Sequence, residues 1–156
     1  MQYKSVLIAV KDIEQSKLFY HDVLGLNVVS DFGANVLLTG GLSLQTLDSW
    51  QNFICTESRQ IVFGHCAGEL YFEEEHLDHF AAELDARSDI IYVHKLLTHR
   101  WGQRVIRFYD PDKNIIEVAE SLKAVAERFK AQGLSVQETA ACMDVSVDFV
   151  KACLSE

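Results

Sequence analysis

The chain has 156 residues, of which 49% are hydrophobic, 24% charged and 10% aromatic, with a formal net charge of −9. That length and mix suit one globular domain with an appendage. The acidic balance argues against nucleic acid and anionic membrane surfaces as partners, and favours neutral or cationic molecules.

Residues 3–10 alternate and predict a strand. Asp12 suits a helix N-cap, Gln15 completes a capping-box pattern, and the helix runs to Leu24 with Gly25 as its left-handed terminator. Three short β-prone runs follow at 26–30, 34–39 and 42–47, with turns at Gly33 and at Gly40-Gly41. Residues 49–66 are mixed in pattern and read as a connector with an extended piece at 60–63. The order then recurs. A strand at 69–73 precedes a helix at 76–86, whose Leu77, Phe80, Ala81 and Leu84 share one face. Strands at 90–96, 103–109 and 114–119 complete the second set, the last two joined by a turn on Asp110-Pro111-Asp112 that holds the only proline. The expectation is an α+β fold of two successive βαβββ modules, a repeat of about fifty residues.

Beyond Glu120 the composition changes, so the boundaries read 1–120 for the two-module domain and 121–156 for a helical appendage. Ser121 caps a helix ending at Gly133, Ser135-x-x-Glu138 forms a capping box, and Ser146 starts a third helix with Val145 and Val150 spaced as a staple. Residues 133–150 resemble the helix-turn-helix segments of bacterial regulators. Their would-be recognition helix carries one basic residue, Lys151, beside Asp148, which is poor chemistry for phosphate contacts. A packing or dimer-stabilising appendage is the better reading.

Strand parity sorts side chains between the two faces of each sheet. If Val6, Ile8 and Val10 pack under the first helix, Ser5 faces away. Ile116 and Val118 toward the second helix turn Glu117 to the opposite face, with Glu69, Tyr71 and Glu73. Ser5 and Glu69 occupy equivalent places, each seven residues before a helix start at Asp12 or His76, and Gln45 matches Glu117 on the last strand of each module. Ser5, Gln45, Glu69 and Glu117 therefore all point to the face without helices. Arg104 and Arg107 have opposite parity, so one of them faces Glu117 and is a candidate partner for its charge.

The segments V-x-D-I-E-x-S-x-x-F-Y-x-D-V-L-G-L (10–26) and F-Y-D-P-D-K-N-I-I-E-V (108–118) resemble the glyoxalase/bleomycin-resistance/extradiol-dioxygenase group, the vicinal oxygen chelate superfamily. The resemblance covers about residues 1–120 and implies two modules whose sheets curl into a cup. It also implies metal ligands at Ser5, Gln45, Glu69 and Glu117. Metal-binding relatives usually carry His or Gln at the first position and commonly His at the third, which disfavours a two-His, one-carboxylate iron site. Lys113 replaces the usual glycine of the turn, so either the turn is strained or Asn114 takes the left-handed place.

Two readings follow. In the first, Gln45, Glu69 and Glu117 hold a divalent metal, better suited to Mg²⁺ or Mn²⁺ than to Ni²⁺ or Zn²⁺. The chain is then a glyoxalase I-like lyase or isomerase working through an enediolate or enolate, with Glu117 and His94 as catalytic groups. In the second, arginine holds the carboxylates, there is no cofactor, and the chain binds a drug or metabolite without chemistry. In both, the partner is a small organic molecule, and the candidate contacts are Ser5, Asn35, Tyr71, Trp101, Arg104 and Arg107. Tyr71 and Trp101 would form an aromatic wall. His99 reads as a surface or core histidine, and His21, His65, His76 and His79 show no ligand spacing.

The four cysteines (Cys55, Cys66, Cys142 and Cys153) form no C-x-x-C pair, and the first apolar run is too short for a secretion signal or a membrane span. A cytoplasmic homodimer with reduced thiols is the expectation.

Overall fold

The computed structural model describes residues 1–155, which divide into two compact units. The first comprises Met1–Ala67 with Asp110–Asn114, and the second Gly68–Tyr109 with the residues from Ile115 on. Each carries one four-stranded mixed sheet with helices, and the second also carries the C-terminal helices. This is the expected α+β arrangement, and neither sheet closes into a barrel.

In the first unit, β1 (Val6–Val10) leads into α1 (Ile13–Leu24). The Asp12 carboxylate caps that helix by accepting from the backbone N–H of Glu14 and Gln15, each at 3.0 Å. Gly25 ends it at φ 67°, a left-handed conformation that costs glycine little. β2 (Val28–Asp31), β3 (Asn35–Leu38) and β4 (Leu42–Thr46) complete a sheet of order β1-β4-β3-β2, in which β1 runs parallel to β4. Val10, Tyr20, Val36, Leu38 and Leu44 are buried in its core.

The stretch after β4 departs from expectation. Leu47–Phe53 forms a helix, α2, and Ser58–Gln60 a single 3₁₀ turn, so 60–63 is not a strand. A seven-residue helix is too short to display the repeating apolar stripe by which helices are recognised in sequence.

The turn Asp110–Asn114 belongs to the first unit through buried polar bonds. Tyr20 donates its hydroxyl to Asp110 Oδ2 at 2.8 Å, and the Lys11 backbone N–H donates to Asp112 Oδ2 at 3.1 Å. Asp110 Oδ1 in turn accepts from the backbone N–H of Asp112 and of Asn114. Lys113 itself takes the left-handed conformation at φ 69°, not Asn114. The tight bond from Asn114 N–H to Asp110 fixes the residue after the corner and leaves the strained place to Lys113.

In the second unit, β5 (Glu69–Glu74), α3 (Leu77–Asp85), β6 (Ile91–Thr98), β7 (Arg104–Tyr109) and β8 (Ile115–Glu120) give a sheet of order β5-β8-β7-β6. The C-terminal helices are α4 (Leu122–Ala131), α5 (Val136–Met143) and α6 (Val147–Cys153). Ser121, Ser135 and Ser146 cap them as the sequence predicts, and Ser135 and Glu138 form a complete capping box. Their inner faces make a separate core of Val125, Ala126, Ala140, Met143 and Val150, against which Phe129, Val145 and Leu154 pack. No helix among the described residues is long and apolar enough to cross a membrane.

Candidate functional site

On the second sheet, register decides which side chains meet. β8 lies between β5 and β7, placing Tyr71 on one side of Glu117 and Arg107 on the other. Arg107 then binds three partners. Its Nε donates to Glu69 Oε2 at 2.9 Å, its Nη2 pairs with Glu117 Oε2, and its Nη1 lies 3.3 Å from His94 Nε2. The Glu117 side chain is 7% exposed, too deep for an unpaired carboxylate, and the guanidinium supplies its counter-charge.

His94 reaches this cluster only because β6 is irregular. Regular pairing from Tyr92↔Phe108 would set it opposite Ile106, on the helical face. A register shift between Tyr92 and His94 sets it opposite Arg107 instead. Its Nδ1 lies 2.9 Å from the Lys95 carbonyl. The tautomer with its proton on Nδ1 satisfies both contacts, donating to Lys95 and accepting from Arg107. Both ring nitrogens are thereby in use.

Gln103 organises the neighbouring aromatic groups. Its side chain accepts from Trp101 Nε1 at 3.0 Å and donates to the Glu120 carbonyl at 2.9 Å and to the Tyr71 hydroxyl at 3.4 Å. Tyr71 is half exposed and donates to Glu73 Oε1 at 2.9 Å. Burial, and then the bond to Glu73, push its phenol above the usual value, so it stays protonated at neutral pH. His99 stacks on Trp101 with ring centroids 4.3 Å apart and planes 20° from parallel. Burial and the charge of Arg107 hold the His99 imidazole below its usual value, against an opposing pull from Glu69.

Arg104 points to the opposite face. It binds Asp78 of α3 at 2.8 Å and pairs with Glu120, which is also held by Arg128 of α4. Burial pushes the Glu120 carboxyl up, but Arg128 and Arg104 together outweigh it and hold it below the usual range.

In the first unit, antiparallel pairing sets Asn35 opposite Gln45. Asn35 Nδ2 donates to Gln45 Oε1 at 2.8 Å, and Gln45 Nε2 donates to Ser49 Oγ at 2.5 Å. Gln45 is buried and its amide is satisfied at both ends, closed off by Ser49 of α2. Ser5 is exposed and precedes β1.

The expected ligands do not fit a metal as they stand. The Gln45 amide oxygen is occupied by Asn35, and Glu69 and Glu117 share a guanidinium, so neither unit presents an open oxygen-donor set. Among the described residues no group of three or more His, Cys, Asp or Glu side chains is placed to hold a metal ion.

Two participants escape a reading of the sequence. Gln103 shares parity with Arg107 and so was legible as facing Glu117, yet a single glutamine carries no chemical signal. His99 lies beyond the end of β6, where strand parity has no force.

A family model described as Glyoxalase-like domain matches residues 3–123. A crystal structure from Agrobacterium tumefaciens str. C58, titled a protein of unknown function, is 35% identical, with a TM-score of 0.69 over 78% of this chain and 95% of that one. Two more distant structures share the fold. One is a lactoylglutathione lyase from Agrobacterium tumefaciens, at 21% identity and TM-score 0.58 over 77% of this chain and 93% of that one. The other is a glyoxalase/bleomycin resistance protein/dioxygenase family enzyme from Burkholderia phytofirmans PsJN, at 14% identity and TM-score 0.66 over 76% of this chain and 98% of that one. No curated protein matches the chain.

Proposed function

The chain belongs to the glyoxalase-like domain family, and we propose that it acts there as a metal-free binding protein for a small organic cation. The observation that carries this reading is Arg107, whose guanidinium occupies the place between Glu69 and Glu117 where a divalent ion would be needed. The lyase or isomerase alternative needs an open ligand set and an unengaged base. Glu117 is ion-paired and His94 uses both ring nitrogens, which weighs against it.

The same face keeps an excess of negative charge. Glu69, Glu73 and Glu117 stand against Arg107, beside the half-exposed ring of Tyr71 and the stacked pair His99–Trp101. Carboxylates next to the half-exposed Tyr71 ring favour a cation with a flat or methylated head, by Coulomb attraction and cation–π contact. A cytoplasmic setting and a homodimer belong to the same proposal.

Titration calorimetry of the intact protein with N-methylquinolinium, and separately with Mn²⁺ and Mg²⁺, tests it. The expected result is saturable binding of the organic cation, abolished by Tyr71→Ala with Glu73→Gln, and no binding of either metal at millimolar concentration. One-to-one Mn²⁺ binding that disappears in Glu117→Gln would overturn it in favour of the metal-assisted reading.

A further inference from the structure

The C-terminal helices run past the family match, which ends at residue 123 in the first turn of α4, and the proposed binding face uses none of their residues. One of them nevertheless sits against the turn that carries the aromatic wall. The β6–β7 turn is closed by the His99 backbone N–H donating to the Gln103 carbonyl at 2.8 Å, and by the Gly102 N–H donating to the His99 carbonyl at 2.9 Å. Gly102 closes it at φ 85°. The Phe129 ring of α4 packs so closely there that a Cβ on Gly102 would fall 2.6 Å from Phe129 Cε2. Arg128, also on α4, donates from Nη2 to the Gly102 carbonyl at 2.5 Å while the same guanidinium holds the buried Glu120. The turn is thus gripped from its back by α4. Its front presents His99 stacked on Trp101, and Gln103 bonded to Tyr71.

We propose that α4 positions the β6–β7 turn, with Phe129 and Arg128 as positioning residues that hold the His99–Trp101 stack in the orientation the ligand face requires. The C-terminal module is then a rigid backing for one wall of the site, and its loosening would alter which ligands that wall accepts. This rests on the proposed binding face for its consequence but not for the coupling itself. The coupling is a property of the free protein. Two backbone bonds close the turn from within, Gly102 takes at φ 85° a conformation that glycine adopts readily, and α4 adds the contacts that reach it from outside.

The test is run on the full chain carrying Trp50→Phe, so that Trp101 is the only indole. Acrylamide quenching of Trp101 and the upfield ring-current shift of the His99 imidazole protons report the stack directly. In Phe129→Ala the quenching constant should rise about two-fold and the His99 protons should return toward random-coil positions, with a cooperative melt retained. Arg128→Gln should move both readouts in the same direction by less. If Phe129→Ala fails to fold, Phe129→Leu, which keeps an apolar side chain on α4, takes its place with an intermediate shift expected. A purely structural role predicts a lower melting temperature with both Trp101 and His99 signals unchanged, and that result overturns the proposal. Because neither readout needs a ligand, failure of N-methylquinolinium to bind would sink the functional reading alone. Where it does bind, its affinity should fall several-fold in Phe129→Ala.

Discussion

Arg107 stands where charge, burial and hydrogen bonding all have to be reconciled. Glu117 on its own would be a carboxylate in a nearly closed site, and a lone buried charge is strongly unfavourable. A guanidinium suits this place better than an ammonium because its planar fork serves Glu69, Glu117 and His94 from separate nitrogens. Removing one partner of such a pair leaves the other uncompensated, so Arg107→Met should cost about 3 kcal/mol in urea unfolding. Adding Glu117→Gln to that variant removes the stranded charge and should recover more than half of the loss. Additive losses in the double mutant would mean that Arg107 stabilises the sheet through its stem and not through its charge.

At the scale of the element, the 110–114 turn shows how a local misfit is tolerated. Asp110 accepts two backbone N–H groups, and its other oxygen binds Tyr20, so the turn is fixed by polar bonds whatever stands at 113. Lys113 is held left-handed by that frame, where a Cβ costs about 1–2 kcal/mol and glycine gives back part of the gain through chain entropy. Lys113→Gly is therefore expected to raise unfolding stability by about 0.5–1 kcal/mol without altering the far-ultraviolet spectrum. A loss of stability would show that the lysine side chain contributes more to the turn than its backbone costs. The same elements explain what the sequence could and could not reveal. Asp12, Gly25 and the three capping serines act on their own neighbours, so their signals are local and survive in the bare chain. That Glu69 and Glu117 face the same side of their sheet followed from period-two alternation, which needs only strand assignment. His94 opposite Arg107 did not follow, because a bulge reverses parity and leaves no mark in composition. The grip of Phe129 on Gly102 joins residues far apart in sequence, and only packing discloses it.

At the scale of the whole molecule, the response to acid can be followed through particular carboxylates. Asp31, Asp85, Asp89 and Glu138 are held below their usual range by partners at the surface, where solvent screening leaves each a small share. Glu120 differs, since its side chain is 3% exposed and it ties Arg128 of the C-terminal module and Arg104 of the sheet to one carboxylate. Its folded value lies below the unfolded one. Its contribution is therefore complete above the unfolded value of about 4.3 and is lost as pH falls through the folded value. Asp112 works in the opposite sense. Burial, reinforced by the charge of Asp110 and opposed by Lys11, holds its carboxyl above the usual value. The folded chain thus keeps that proton longer, and the stability it adds fades as pH rises. As pH falls below about 4.3 the two effects compete, and the Glu120 arm is separable by substitution. Glu120→Gln should be about 2–3 kcal/mol less stable than the parent at pH 7, because two arginines lose their shared partner. That difference should narrow steadily as urea midpoints are followed below about pH 4.3, since the parent then loses the same charge to protonation. A gap of constant size from pH 7 to pH 3 would mean that the Glu120 carboxylate does not hold the C-terminal helices through its charge.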